Sequence, residues 1–180
     1  MSSVRGLDDE DQMPAMLDAA VRRLTGIDGI GDYIPQVGSN LIYAKADSST
    51  VEDVVALTGR IIATIRGPIA CGEVAYGASS HLASAVIEAQ RLDWEIRAGL
   101  NIRADDDVAR RLKEVGLTVV TIPSRIEGEG CPVTHYIRRT GELADAYVHP
   151  GDFGVEPTTT IIARHPDRLV EIMAEIVELE

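Results

Sequence analysis

Short strand-type runs interleave with helix-type stripes along the chain, and this alternation restricts the fold more than any other feature of the sequence. The segments LIYAKA, RIIATIRG, PIACGEVAY, LTVVTIP and TTTIIARHP are brief, rich in β-branched residues and bounded by Gly, Pro or polar positions, so they read as strands. A Gly67-Pro68 turn between the second and third predicts a hairpin. DAYVHPGDFGVEP reads as a strand followed by a loop. Helical spacing marks Leu17, Ala20, Val21 and Leu24, then Leu82, Ala85, Val86 and Ala89, and finally Leu169, Ile172, Met173, Ile176 and Val177. TVEDVVAL reads as a short helix capped by Ser49 or Thr50 with Asp53. ADDDVARRLKEVG and VTHYIRRTG complete the helices, the former with acids in its first turn and Gly116 at its exit. Strands with an apolar face and helices with an apolar stripe bury them against one another. The expected fold is α/β, helices layered on a mixed sheet.

The 180 residues fit one domain of ordinary size, large enough for a core without staples. With 17 Lys plus Arg against 29 Asp plus Glu, the net charge of −12 disfavours nucleic acid as a partner. It leaves room for phosphorylated small molecules held by a few local arginines. No apolar run approaches the ~18 residues a bilayer requires, and the start of the chain resembles no signal peptide, so a cytoplasmic location is expected. Cys71 and Cys131 are far apart and read as buried thiols.

Four clusters collect glycine and polar residues at what read as loops between elements: Val37-Gly38-Ser39-Asn40, Gly77 through His81, Asn101-Ile102-Arg103, and Gly151 through Pro157. In the second, Ser79, Ser80 and His81 stand where a helix begins. Free N–H groups and a partial positive charge there suit a phosphate, while ordinary capping by Ser79 or Ser80 is the plain alternative. Arg60 at a strand start reads as a solvated surface charge, and Arg103 equally as a ligand-binding charge or as an ion pair with Asp105, Asp106 or Asp107. Asp152 and Glu156 bracket Gly154; two carboxylates in a glycine loop suit a divalent ion or ligand hydrogen bonds, and a turn headed by Asp is the alternative. His81, His135, His149 and His165 show no HxH or HExxH spacing, which argues against a zinc centre, and neither GxSxG nor a P-loop occurs. The residues alone lead to an acidic α/β protein that binds a phosphorylated small molecule.

Taken together, IPQVGSNLIYA, VEDVVALTGRI, YGASSHLASAVIEA, EIRAGLNIR and HPGDFGVEP, in that order, resemble the ThiN family, the archaeal type of thiamine-phosphate synthase. The resemblance implies a three-layer α/β/α domain with a mixed, largely antiparallel sheet, similar to class II (AraD-like) aldolases but without counterparts of their metal-binding histidines. It implies a domain over residues 30–180, preceded by a segment at 1–29 with one helix. The implied reaction joins hydroxymethylpyrimidine diphosphate to hydroxyethylthiazole phosphate, with magnesium as cofactor. Arg60 and His81 match the family's catalytic positions. Gly38, Ser39, Asn40, Gly77, Ser79, Ser80, Asn101, Arg103, Asp152 and Glu156 match positions implied to bind substrate or phosphate, with Asp152 and Glu156 as candidate metal ligands. A homodimer, and a kinase domain upstream in a full-length bifunctional protein, are further implications. The same domain also serves as a thiamine-phosphate sensor behind a helix-turn-helix in regulators. Retention of Arg60 and His81 favours the enzyme, and one helix within 1–29 is less than a helix-turn-helix needs.

Overall fold

The computed structural model describes residues 10–179. Nine strands and five α-helices are assigned there: α1 (Met13–Thr25), β1 (Leu41–Ala44), β2 (Val54–Leu57), β3 (Ile61–Thr64), β4 (Gly67–Ala70), β5 (Val74–Tyr76), α2 (His81–Leu92), β6 (Ala98–Arg103), α3 (Asp106–Glu114), β7 (Val119–Thr121), α4 (Pro132–Thr140), β8 (Ala146–His149), β9 (Thr158–Ala163) and α5 (Pro166–Glu178). Seven strands form one sheet in the order β5-β2-β1-β6-β9-β8-β7, and β3 and β4 form a separate hairpin. Within the large sheet only β7 and β8 run parallel. Parallel neighbours need a long crossover, and α4 supplies it between them.

The sheet is covered on both faces because its strands alternate between two apolar sets. Leu41 and Tyr43 of β1, with Val55 and Leu57 of β2, pack with residues of α1, α3 and α5. Ile42 and Ala44, with Val54 and Ala56, pack with residues of α2 and α4. This period-two division makes three layers, helix over sheet over helix. Leu17, fully buried on α1, contributes about 2 kcal/mol by leaving water. The helix at the start of the chain is therefore integral to the core. Gly99 lets α2 settle onto β6, since a Cβ there would lie 2.7 Å from the Val86 side chain.

Four local expectations are corrected. TVEDVVAL is not a helix: a 3-10 turn spans Val51–Asp53, and Val54–Leu57 is a strand. Thr50 and Asp53 cap each other reciprocally within that single turn, and the valines that follow pair with Ala44 and Tyr43 in the sheet. The hairpin turns at Ile65 and Arg66, while Gly67 and Pro68 lie in β4. Pro68 is tolerated because β4 pairs with β3 alone and its other edge is not part of a sheet. PIACGEVAY breaks at Gly72, whose φ of 87° leads the chain from the hairpin into β5 of the large sheet. Finally, Asn101-Ile102-Arg103 is no loop but the end of β6, paired with Thr160, Thr159 and Thr158. Buried Ile102 supplies the apolar side of that alternation.

Candidate active site

On the sheet face under α2 and α4 the apolar floor gives way to polar residues toward one end. Along β6 the residue after Gly99 on that face is Asn101; along β9 Thr160 and Thr158 follow Ile162; along β8 His149 follows Tyr147. A cleft of about 400 Å³ opens there. Its lining includes Gly38, Asn40, Arg60, Ser79, His81, Asn101 and Glu156, seven positions singled out in the sequence. Residues from all four polar clusters and from the GRI motif thus meet in one place.

Arg60 reaches the cleft because the chain before it is held close to the Gly38 loop. Ser39 and Ile61 exchange backbone hydrogen bonds of 2.9 and 2.8 Å. Gly38 has a φ of 82°, and a Cβ on it would stand 2.8 Å from Arg60 Cβ, so both conformation and space require glycine. Arg60 is exposed, and its Nη1 donates to the Gly59 carbonyl at 2.8 Å. Among the described residues no carboxylate forms an ion pair with it, which leaves its charge available to a ligand.

His81 is the first residue of α2, preceded by Ser80 at the cap position. The capping expectation for Ser80 fails in its detail, because no side chain makes a cap hydrogen bond at this helix. The N–H groups of the first turn and the helix dipole therefore stay open to an anion. Cys131 lies beside His81 in the cleft lining, and this contact raises the imidazole above its ordinary value; burial and the nearby Arg60 charge pull the other way. Cys131 stands at the head of α4, near the N–H groups of Val133 and Thr134 without closing a regular cap bond. Burial pushes its thiol up, but His81 and Thr134 outweigh that and leave it below the usual thiol value. Like-signed Arg60 and His81 side by side suit a multiply charged anion.

The asparagines serve the framework. Asn40 is buried and its amide donates to and accepts from the Leu57 backbone at 3.1 Å each way. Asn101 accepts from Asn40 N–H at 2.7 Å and donates to the Gly38 carbonyl at 3.0 Å, pinning the glycine loop to β6. Glu156 accepts from the N–H groups of Gln36 and Val37, at 2.7 and 3.0 Å, and so ties the last polar loop to the first.

Other candidates stand elsewhere. Arg103 pairs with Asp105 and lies over the Tyr33 ring, outside the cleft lining. Asp152 is engaged by Arg125 at 2.8 Å and by the Phe153 N–H. Ser39 turns inward, its hydroxyl buried without a partner beside an apolar void of about 10 Å³. Gly77 (φ 72°) turns the chain between β5 and α2 near Glu52, and Ser80 borders an adjoining depression of about 330 Å³. Asp152 and Glu156 both spend their oxygens on protein donors, and the described residues hold no cluster of three His, Cys, Asp or Glu groups arranged for a metal. As arranged, these two carboxylates do not fit a shared ion.

Four polar cleft residues were not singled out in the sequence as site candidates: Cys131, His149, Thr158 and Thr160. Cys131 was expected as a buried thiol, and its signal was the following Pro132, which marks a helix start. His149 showed no metal-type spacing, although it heads the HPGDFGVEP segment and stands at a strand end before Pro150-Gly151.

The thiamine-phosphate synthase ThiN family profile matches residues 16–175. The chain belongs to the ThiN family of thiamine-phosphate synthases. Its ThiN relative from Methanothermobacter thermautotrophicus (strain Delta H) is 29% identical over 167 residues, covering 87% of this chain and 88% of that one. The bifunctional thiamine biosynthesis protein ThiDN of Methanocaldococcus jannaschii is 39% identical over 144 residues, 77% of this chain; the match covers 34% of that longer protein. Among solved structures, the C-terminal domain of a phosphomethylpyrimidine kinase superposes with a TM-score of 0.81 at 28% identity, covering 93% of this chain and 100% of that domain. The class II aldolase architecture expected of ThiN proteins is present as well. An l-fuculose-1-phosphate aldolase from Thermus thermophilus shares the fold, with a TM-score of 0.53 at 12% identity over 91% of this chain and 90% of that one. No helix among the described residues is long and apolar enough to cross a membrane.

Proposed function

We propose that the cleft performs the synthase reaction on hydroxymethylpyrimidine diphosphate and hydroxyethylthiazole phosphate, with Arg60 and His81 acting on the diphosphate. The supporting observation is the convergence of these two side chains on one cleft at the uncapped start of α2, with Arg60 free of any carboxylate partner among the described residues. The bond from the pyrimidine methylene carbon to the diphosphate oxygen breaks, and its electron pair leaves with the oxygen. The thiazole nitrogen gives its lone pair to that carbon and becomes a cation. Negative charge grows on the departing diphosphate, so donors fixed in advance around it lower the barrier. Arg60, the His81 imidazolium, Ser79 and the first N–H groups of α2 are those donors. No general base is required at the nitrogen, and orientation of the two rings sets the rate. Magnesium, when bound, would neutralise charge on the diphosphate, and Asp152 and Glu156, whose oxygens are engaged by protein donors, would not be its shared ligands as arranged. The protein works in the cytoplasm as a homodimer, and Arg103, outside the cleft, has no part in binding phosphate.

The test is a direct assay of purified protein with magnesium and both substrates, following thiamine phosphate. Turnover that is lost in Arg60→Ala supports the reading. Tight binding of thiamine phosphate without turnover would assign the protein to ligand sensing instead.

A further inference from the structure

His149 has no role in the leaving-group chemistry, yet it is more than nine-tenths buried and lines the cleft. Its Nδ1 accepts a hydrogen bond from the Gly151 N–H at 3.1 Å. That bond selects the tautomer with the proton on Nε2. Nε2 has no hydrogen-bond partner among the described residues, and it is not sealed from solvent as the Ser39 hydroxyl is. His149 lines the cleft and borders neither the void beside Ser39 nor the depression beside Ser80. The ring thus presents one neutral N–H donor to the cleft.

The surroundings say what that donor suits. Leu82, Val133, Val155 and Val37 give the cleft apolar walls, as a flat heteroaromatic ring requires. Arg60 and His81 supply the positive charge for phosphate, whereas a neutral N–H matches a neutral ring nitrogen. We propose that His149 is a specificity-determining residue whose Nε2–H donates to a ring nitrogen of the heteroaromatic substrate, fixing how that ring lies on the cleft floor. The proposal rests on the synthase reading of the same cleft and adds a residue that reads the ring rather than the phosphate.

Two substitutions separate this role from a structural one. In His149→Asn the side-chain oxygen replaces Nδ1, so the Gly151 N–H keeps its acceptor while the cleft donor is lost. In His149→Gln the amide N–H reaches toward the Nε2 position, while the acceptor for Gly151 is lost. Binding of thiamine phosphate, which carries the ring, and of inorganic pyrophosphate, which carries none, is measured by calorimetry on the full chain. The expected result is a loss of about tenfold in thiamine phosphate affinity for His149→Asn, consistent with one hydrogen bond removed and a ring acceptor left unpaired. Pyrophosphate affinity stays unchanged, and His149→Gln binds thiamine phosphate better than His149→Asn. The reverse order of the two variants, or equal loss of both ligands in His149→Asn, would show a structural histidine and overturn the proposal. Parent protein that binds neither ligand would instead overturn the synthase reading of the cleft, and this proposal with it.

Discussion

His81 and Cys131, fifty residues apart in the chain, meet in the cleft lining where α2 and α4 both begin. The contact couples two titrations in opposite directions. The His81 pKa is raised chiefly by the Cys131 contact, so the imidazolium persists to higher pH than in a free histidine. A raised histidine contributes stability fully present below its unfolded value and lost as pH rises through the folded one. Cys131, lowered on balance, behaves in the opposite sense: its contribution is present above the unfolded thiol value and is lost as pH falls through the folded one.

If the imidazolium is the form that acts on diphosphate, turnover declines as pH rises through the raised His81 value. Cys131→Ala removes the main cause of that rise. The alkaline limb of the kcat/KM profile is then expected to move to lower pH, with the fold intact by circular dichroism. An unmoved limb would show that His81 does not act as a cation.

Arg60→Ala is expected to lower kcat by about 10²- to 10³-fold, the scale of losing one fixed donor to a developing anion. The melting temperature should change little, because the side chain is exposed and has no ion-pair partner among the described residues. Parallel steady-state kinetics and thermal melts check both halves of this expectation.

Gly38→Ala forces a side chain into a left-handed backbone position and against the stem of Arg60. The strain costs on the order of 1–3 kcal/mol. Relief by moving Arg60 should lower turnover by more than the loss of stability explains. Denaturant titration and kcat together measure the two effects.

Glu156→Gln keeps shape but removes the charge from the bonds to Gln36 and Val37. Charge-assisted bonds are about twice as strong as neutral ones, so this connection between loops should weaken. Faster amide exchange at Gln36 and Val37, with a several-fold rise in KM, is the expected outcome.

Arg103→Ala offers the contrasting case. Its pairing with Asp105 is partly exposed, and such pairs are worth about 0–1 kcal/mol. Turnover within about twofold of the parent is expected. A large rise in KM for the thiazole phosphate would return Arg103 to the set of phosphate ligands.

The chain by itself determined a good deal. The apolar stripes of α1, α2 and α5 were legible, because a helix in contact with a sheet must repeat its buried residues every three or four positions. So was the presence of strands on both sides of α2, and the order of motifs sufficed to suggest the family. Other features waited for the tertiary structure, and each has a physical reason. Val54 and Val55 became a strand because β1 offered them partners. Asn101 lay in a strand because β9 paired with it on one side and β1 approached from the other. Arg60, His81, Cys131 and His149 come from four separate segments, and no local spacing records that they share a cleft. Arg103 and Asp152 carried the same kind of charge in the sequence as Arg60 and Glu156. Only the packing decided that the first two sit with neighbouring ions outside or beside the cleft, while Arg60 faces it without one.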